Sequence, residues 1–190
     1  MRGPLRLRWV FVAAVCFGVG AAIVKGQDAG IRDVLGNTSA PWILPPFIAG
    51  MATRRSWHGA AAGALATSAA FAAFYVAEAF ILDLGPHPWY VDLRLTAGTL
   101  NPYEKLGFVS GALYGALGYA WAARRSRWAP LAVGGAFVAE PLIVLMVVRT
   151  HVWGGGSLLA HPVIWVTEMA VGVLLTVALL ERRRRASAVR

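Results

Sequence analysis

The chain has 190 residues, of which 58% are hydrophobic and 14% are charged, and its formal net charge is +9. A soluble domain is about half apolar and about a quarter charged, so this composition excludes an ordinary soluble protein. The low content of charge also excludes an intrinsically disordered chain. The mean hydropathy of +0.60 indicates that lipid surrounds much of the surface, and the single cysteine, Cys16, excludes an intramolecular disulfide.

Six stretches of the chain approach the roughly 20 apolar residues that a membrane-spanning helix needs. Five further apolar stretches follow the first one, and this favours an uncleaved first helix over a cleaved signal peptide. The second stretch contains Pro45-Pro46, which lack backbone donors, so the sequence leaves open whether it spans fully or is broken there. We predict an all-α, six-helix transmembrane bundle that forms a single domain over residues 1–190. Its helices are predicted at about 9–24, 40–53, 57–82, 102–123, 128–148 and 162–180, with a basic tail at 181–190.

The basic residues predict the orientation of the bundle, because short cytoplasmic loops are enriched in Lys and Arg. Sorted by predicted loop, 13 basic residues fall on the side of the two termini and 5 fall on the other side. Both termini are therefore predicted to be cytoplasmic, and the protein is predicted to be a multi-pass protein of the plasma membrane. The longer connections on the outer side are candidate lids over a site.

Three glutamates lie inside apolar stretches: Glu78, Glu140 and Glu168. A carboxylate at membrane depth costs roughly 2.5 to 3.5 kcal/mol on insertion scales, so it usually faces a cavity or a partner. A rise of about 1.5 Å per residue, counted from the arginines on the inner side, puts Glu140 and Glu168 at one depth, about 20 Å from those charges. Glu78 lies near the outer end of the third helix, where we expect it to open to the outer face.

Aromatic and polar side chains accompany these acids. His161, Trp165 and Glu168 share one face of the sixth helix and predict a polar and aromatic column that descends from the outer surface. Pro141 follows Glu140, and its ring frees a backbone carbonyl one turn earlier. An acid beside a free carbonyl is typical of a site for a cation or an ammonium group. Tyr75 precedes Glu78 by one turn and offers a ring face that attracts cations.

Each of these residues also has a structural interpretation. Glu78 can simply reach interfacial water, and Glu140 and Glu168 can be protonated acids or hydrogen bonds that hold helices together. His161 precedes Pro162, which is typical of a residue at a helix end. We expect no metal, because the histidines and acids of the outer loops lack metal-ligand spacing. No glycine motif for nucleotides is present, so we expect no cofactor and no nucleic-acid partner.

Small residues spaced by four line the first helix at Ala14, Gly18 and Ala22. Such a stripe lets helices approach closely. It indicates either packing within the chain or a docking surface for another membrane subunit.

The six helices, the cytoplasmic termini, the long outer loops and this stripe together resemble the substrate-binding subunits of energy-coupling-factor vitamin importers. That resemblance covers the whole chain as architecture. It implies a solute held in the outer half, and a first helix that docks on a coupling membrane protein. The segments Asn37-Thr-Ser-Ala-Pro-Trp42 and Phe47-Ile-Ala-Gly50 also resemble small actinobacterial multi-pass proteins of unknown function.

The sequence therefore favours a membrane-embedded binding subunit for a small, cationic or amine-bearing solute that enters from outside between the third, fifth and sixth helices. His161 and the Gly154–Gly156 loop would gate entry. The predicted ligand-binding residues are Glu140, Glu168, Glu78, His161, Trp165 and Tyr75. Two alternatives stay open. One is an intramembrane enzyme that acts on an isoprenoid or another lipid with a glutamate as general acid, and the other is a scaffold or accessory subunit without a ligand.

Overall fold

The computed structural model describes residues 4–26, 30–82, 88–98, 101–149 and 161–188, and within these ranges the chain forms helices and no strand. A 3₁₀ turn, Ala40–Ile43, precedes the third α-helix. The α-helices are α1 (Pro4–Lys25), α2 (Ile31–Gly36), α3 (Leu44–Met51), α4 (Ser56–Leu82), α5 (Trp89–Gly98), α6 (Asn101–Arg124), α7 (Trp128–Arg149) and α8 (Pro162–Ala188).

Four of these helices are long and apolar enough to cross a membrane. They are the segments Leu7–Lys25, Ser56–Ile81, Trp128–Met146 and Pro162–Arg182, in α1, α4, α7 and α8. They correspond to the first, third, fifth and sixth predicted spans, so the chain is an α-helical membrane protein. At 24 residues, α6 is about 36 Å long, but it does not belong to this group, and its crossing stays a prediction.

The segment predicted as the second span, residues 40–53, is two short elements instead of one long helix. The 3₁₀ turn has four residues and α3 has eight, so α3 is only about 12 Å long and cannot cross the bilayer by itself. Pro45 and Pro46 lie in the first turn of α3. Backbone N–H groups in the first turn of a helix have no acceptor within that helix, so proline, which lacks an N–H group, loses no hydrogen bond there. The two prolines therefore begin the helix instead of breaking it.

Glycines allow α3, α4 and α6 to meet backbone to backbone. A Cβ atom added to Gly115 of α6 would lie 2.2 Å from the carbonyl oxygen of Gly59 and 2.8 Å from Cα of Gly63, both in α4. One added to Gly118 would lie 2.0 Å from the carbonyl oxygen of Phe47 in α3. No side chain fits at these crossings, so the short α3 packs directly against α4 and α6.

The small-residue stripe of α1 also packs inside the chain. Ala14 and Ala22 are buried, and a Cβ atom added to Gly18 would lie 2.0 Å from the carbonyl oxygen of Ala70 in α4. The stripe therefore packs within the chain, which is one of the two interpretations given above for it. A coupling subunit would have to use another face of α1, because α4 covers this one.

The last two described helices, α7 and α8, run antiparallel as a pair. Gly134 and Gly172 mark their close contact, since a Cβ atom on Gly134 would lie 2.5 Å from the carbonyl oxygen of Gly172. The Thr176 hydroxyl donates to the carbonyl of Pro130 at 3.4 Å. The pair joins the rest of the chain through a buried cluster that includes Phe47 of α3, Trp121 of α6 and residues of α7.

Candidate functional site

The segment between α1 and α3 packs against the long helices and forms one side of the site. Arg32 of α2 donates hydrogen bonds to the carbonyls of Val24 (3.2 Å) and Ile23 (2.6 Å) at the end of α1. These carbonyls have no partner within their own helix, so the guanidinium caps it. On the other side of α2, buried Val34 packs against Trp165 of α8. Arg32 thus joins α2 to α1, and Val34 joins α2 to α8. These two contacts hold the 3₁₀ turn that follows α2 close to α7.

Glu140 of α7 binds the start of the 3₁₀ turn. The backbone amides of Ser39 and Ala40 each donate to one of its carboxylate oxygens, the first at 2.5 Å. Free amides at the start of a helical turn carry partial positive charge and attract an anion. Glu140 therefore acts as the capping group of this turn, although it lies about a hundred residues later in the chain.

Glu168 of α8 lies opposite Glu140 across the α7–α8 pair. The carboxyl groups of Glu140 and Glu168 lie within hydrogen-bond reach of each other. Glu168 is 7% exposed, and apart from the Glu140 carboxyl group, which can share a proton with it, its carboxyl oxygens have no hydrogen-bond partner among the described residues. A buried polar group without a partner costs about 1 to 3 kcal/mol, and more when it is charged. Among the three glutamates of the apolar helices, Glu168 is therefore the one that no donor outside the Glu140–Glu168 pair satisfies in the described part of the chain.

Glu78 has a partner, and the expectation that it opens to the outer face or reaches water is wrong. The ammonium of Lys25, at the end of α1, lies 2.5 Å from Oε1 of Glu78. Glu78 is only 4% exposed. The same ammonium lies 5.6 Å from the ring centroid of Phe74. Glu78 and Lys25 form a buried ion pair at the C-terminal ends of α1 and α4.

Tyr75 belongs to an aromatic cluster beside this ion pair. Its ring stacks on Phe71, with the centroids 6.1 Å apart, and meets Phe74 edge to face at 5.5 Å. Trp42 of the 3₁₀ turn stacks on the same Phe71 at 4.5 Å. The predicted ligand residues therefore fall into two groups: Tyr75 and Glu78 on α4, and Glu140 and Glu168 on α7 and α8. Trp42 connects the groups, because its own turn is the one that Glu140 caps.

The remaining predicted residues lie at the start of α8 or in the segment before it. The carbonyl of His161 accepts a hydrogen bond from the amide of Ile164 at 3.1 Å, as expected of a residue at a helix end. Trp165 is buried next to Val34 and one turn before Glu168. The Gly154–Gly156 loop, which was predicted to gate entry, lies outside the described residues.

Sequence reasoning missed three contributors to this site: Lys25 and the amides of Ser39 and Ala40. Lys25 carried a usable signal, because it ends the first span on the same side as Glu78. Ser39 and Pro41 also mark the start of a helical turn, since both residue types are common there. No local pattern connects that turn to Glu140.

These observations define the class of the protein: an α-helical membrane protein with a carboxyl pair between two of its apolar helices. The chain belongs to DUF6518, described as a family of unknown function, whose model matches residues 2–190. No curated protein and no solved structure matched the chain.

Proposed function

We propose that this chain is a plasma-membrane binding subunit for a small, positively charged solute, and that the site is the Glu140–Glu168 pair between α7 and α8. The observation that carries the proposal is the buried carboxyl group of Glu168. Among the described residues, only the Glu140 carboxyl group lies within its hydrogen-bond reach, and no amide or basic group donates to it. An acid inside an apolar helix has a free-energy cost, and a bound donor or cation would offset that cost.

The chemistry of the pair favours a cation. Glu140 already accepts two backbone amides through its two oxygens, which fix the position of its carboxylate. Each carboxylate oxygen has two lone-pair sites, so each can accept a second donor from a ligand. An ammonium or amidine group between Glu140 and Glu168 would donate to both carboxyl groups and balance the single negative charge of a pair that shares one proton, and the buried ring of Trp165 one turn away would provide an apolar wall.

The position of the pair favours access from the outer side. Glu168 is the seventh residue of α8, so it lies about 9 Å along the axis from the start of that helix. The basic residues predict that this end faces outward. Uptake across the membrane, in which this site performs the binding step, is the extension of the proposal that the architectural resemblance implies.

The test is identification of the bound solute by mass spectrometry on protein purified in mild detergent. We expect a small cationic or amine-bearing compound with the wild-type protein, and its loss with Glu168→Gln. The matched control is Glu181→Gln on the same helix, because Glu181 is exposed and pairs only with Arg185 one turn away. A compound that is retained by Glu168→Gln as by the control, or the absence of any such compound, would contradict the proposal.

One observation favours a second candidate, a scaffold without a ligand. Two of the three membrane glutamates are already bonded within the protein, Glu78 to Lys25 and Glu140 to the 3₁₀ turn. In a scaffold, Glu168→Gln would leave the stability unchanged or raise it, since the uncharged amide can donate to Glu140 and needs no positive partner. Under the binding proposal, the same variant loses the stabilisation that the solute gives to the wild-type protein.

A further inference from the structure

A groove with apolar walls runs between α7 and α8, apart from the glutamate pair. Its volume is about 270 Å³, and its walls are Leu131, Gly135 and Val138 of α7 with Val173 and Val177 of α8. The Thr176 hydroxyl at its floor is bonded to the carbonyl of Gly172 at 2.9 Å. Leu131, Val173 and Val177 are exposed, so the groove opens sideways, where lipid surrounds a membrane helix.

The end of the groove near the start of α7 is basic and aromatic. Trp128 is 63% exposed, and the guanidinium of Arg127 lies 5.0 Å from its ring centroid. Arg127 precedes Leu131 by one helical turn. On α8, Arg184 follows Val177 by two turns and therefore lies on the same face of the helix. An exposed tryptophan and arginines at the end of an apolar segment are typical of the interface between hydrocarbon and headgroups.

We propose that this groove is a binding site for an anionic phospholipid. One acyl chain lies between α7 and α8, and the phosphate is held at the basic end by Arg127 and Arg184. The apolar walls fit hydrocarbon, while an arginine binds a phosphate through paired, charge-assisted hydrogen bonds. The charges select an acidic headgroup over a zwitterionic one, and basic clusters beside membrane helices commonly do so. The site stands apart from the proposed solute site and does not depend on it.

Two glycines offer a matched pair of variants for the acyl-chain part of the site. Gly135 and Gly20 both have open space where a side chain would point, with nothing within 4 Å of an added Cβ atom. An added Cβ atom at either position therefore meets no other atom of the described residues. Gly135→Leu fills the groove, whereas Gly20→Leu adds the same side chain to α1, away from it.

The experiment is native mass spectrometry of purified protein titrated with phosphatidylglycerol or phosphatidylcholine. We expect the wild-type protein and Gly20→Leu to retain one phosphatidylglycerol in preference to phosphatidylcholine, and Gly135→Leu to lose that preference. Arg127→Gln should weaken phosphatidylglycerol binding about fivefold, since one basic residue near a lipid headgroup contributes about that much. Arg55→Gln, in the exposed turn before α4, is the control for charge.

Three outcomes would overturn the proposal. Gly135→Leu could bind phosphatidylglycerol as the wild type does, which would mean attraction by surface charge alone. The wild-type protein could bind both lipids equally, which would mean unselective lipid contact. The wild-type protein could also appear as a dimer that Gly135→Leu separates, which would make a second copy of the chain the occupant of the groove.

Discussion

The ion pair between Lys25 and Glu78 gives the sharpest prediction about the stability of the fold. The charges lie 2.5 Å apart, and 24% of the lysine side chain and 5% of the glutamate side chain are exposed. At an effective dielectric constant of about 20, that separation corresponds to an attraction of about 7 kcal/mol, most of which the loss of hydration offsets. Removal of one partner strands the other charge in an apolar site. We expect Lys25→Met or Glu78→Met to lower the free energy of unfolding by about 3 kcal/mol each, the low end for a buried pair, because a quarter of Lys25 stays exposed.

The double variant decides whether the two residues act as a pair. Lys25→Met/Glu78→Met leaves no stranded charge and places two flexible apolar side chains next to Phe74, so its loss should be clearly smaller than the sum of the single losses. Unfolding in mixed micelles of mild detergent and dodecyl sulfate, followed by circular dichroism, measures all four proteins. The control cycle uses Arg185 and Glu181, an exposed pair at 3.7 Å on α8, where the coupling should be below about 0.5 kcal/mol. A Lys25–Glu78 coupling as small as that of the control would refute the buried ion pair.

Two further predictions concern packing and orientation. Gly115→Ala should lower the free energy of unfolding by about 1 to 3 kcal/mol or more, because its Cβ atom would meet the backbone of Gly59 and Gly63. Gly135→Ala, with open space at its Cβ position, should instead gain about 0.5 to 1 kcal/mol from helix propensity in the same assay, and equal effects of the two variants would contradict the close crossing. In a Cys16→Ala background, a membrane-impermeant maleimide should label Asn37→Cys in intact cells, and Ser56→Cys only after permeabilisation. The reverse pattern would invert the predicted orientation.

The long apolar helices and the common depth of Glu140 and Glu168 could be predicted from the sequence because both depend on counting along the chain. Hydropathy over about 20 residues identifies a span, and a fixed rise per residue converts sequence distance into depth. α7 begins and ends within one residue of the prediction. α8 begins at the predicted Pro162 but continues to Ala188, eight residues beyond the predicted end, because the basic tail is helical as well. Each of these signals is local, so no knowledge of neighbouring helices is needed.

The rest of the site depends on contacts between distant segments. The partner of Glu78 is 53 residues away in sequence, and the amide that Glu140 binds through Oε1 is 101 residues away. A single sequence holds no periodicity that joins such positions. The segment at 40–53, for which the sequence left open a full span or a break, forms two short elements for a related reason. Its apolar composition is that of a span, but its apolar surface is covered by α4 and α6 at glycine crossings instead of by lipid.

The three membrane acids differ in what neutralises them, and this difference narrows the functional question to one residue. Glu78 is neutralised by a fixed ammonium, so a solute that bound there would have to displace Lys25 from an apolar site. Glu140 is held by two amides, which fix its carboxylate without neutralising its full charge. Glu168 faces Glu140 within hydrogen-bond reach and has no donor outside the pair among the described residues, so no basic side chain in that part of the chain balances the charge of the pair. A binding function for this chain therefore depends on Glu168, and Glu140 contributes by keeping the opposite carboxylate in place.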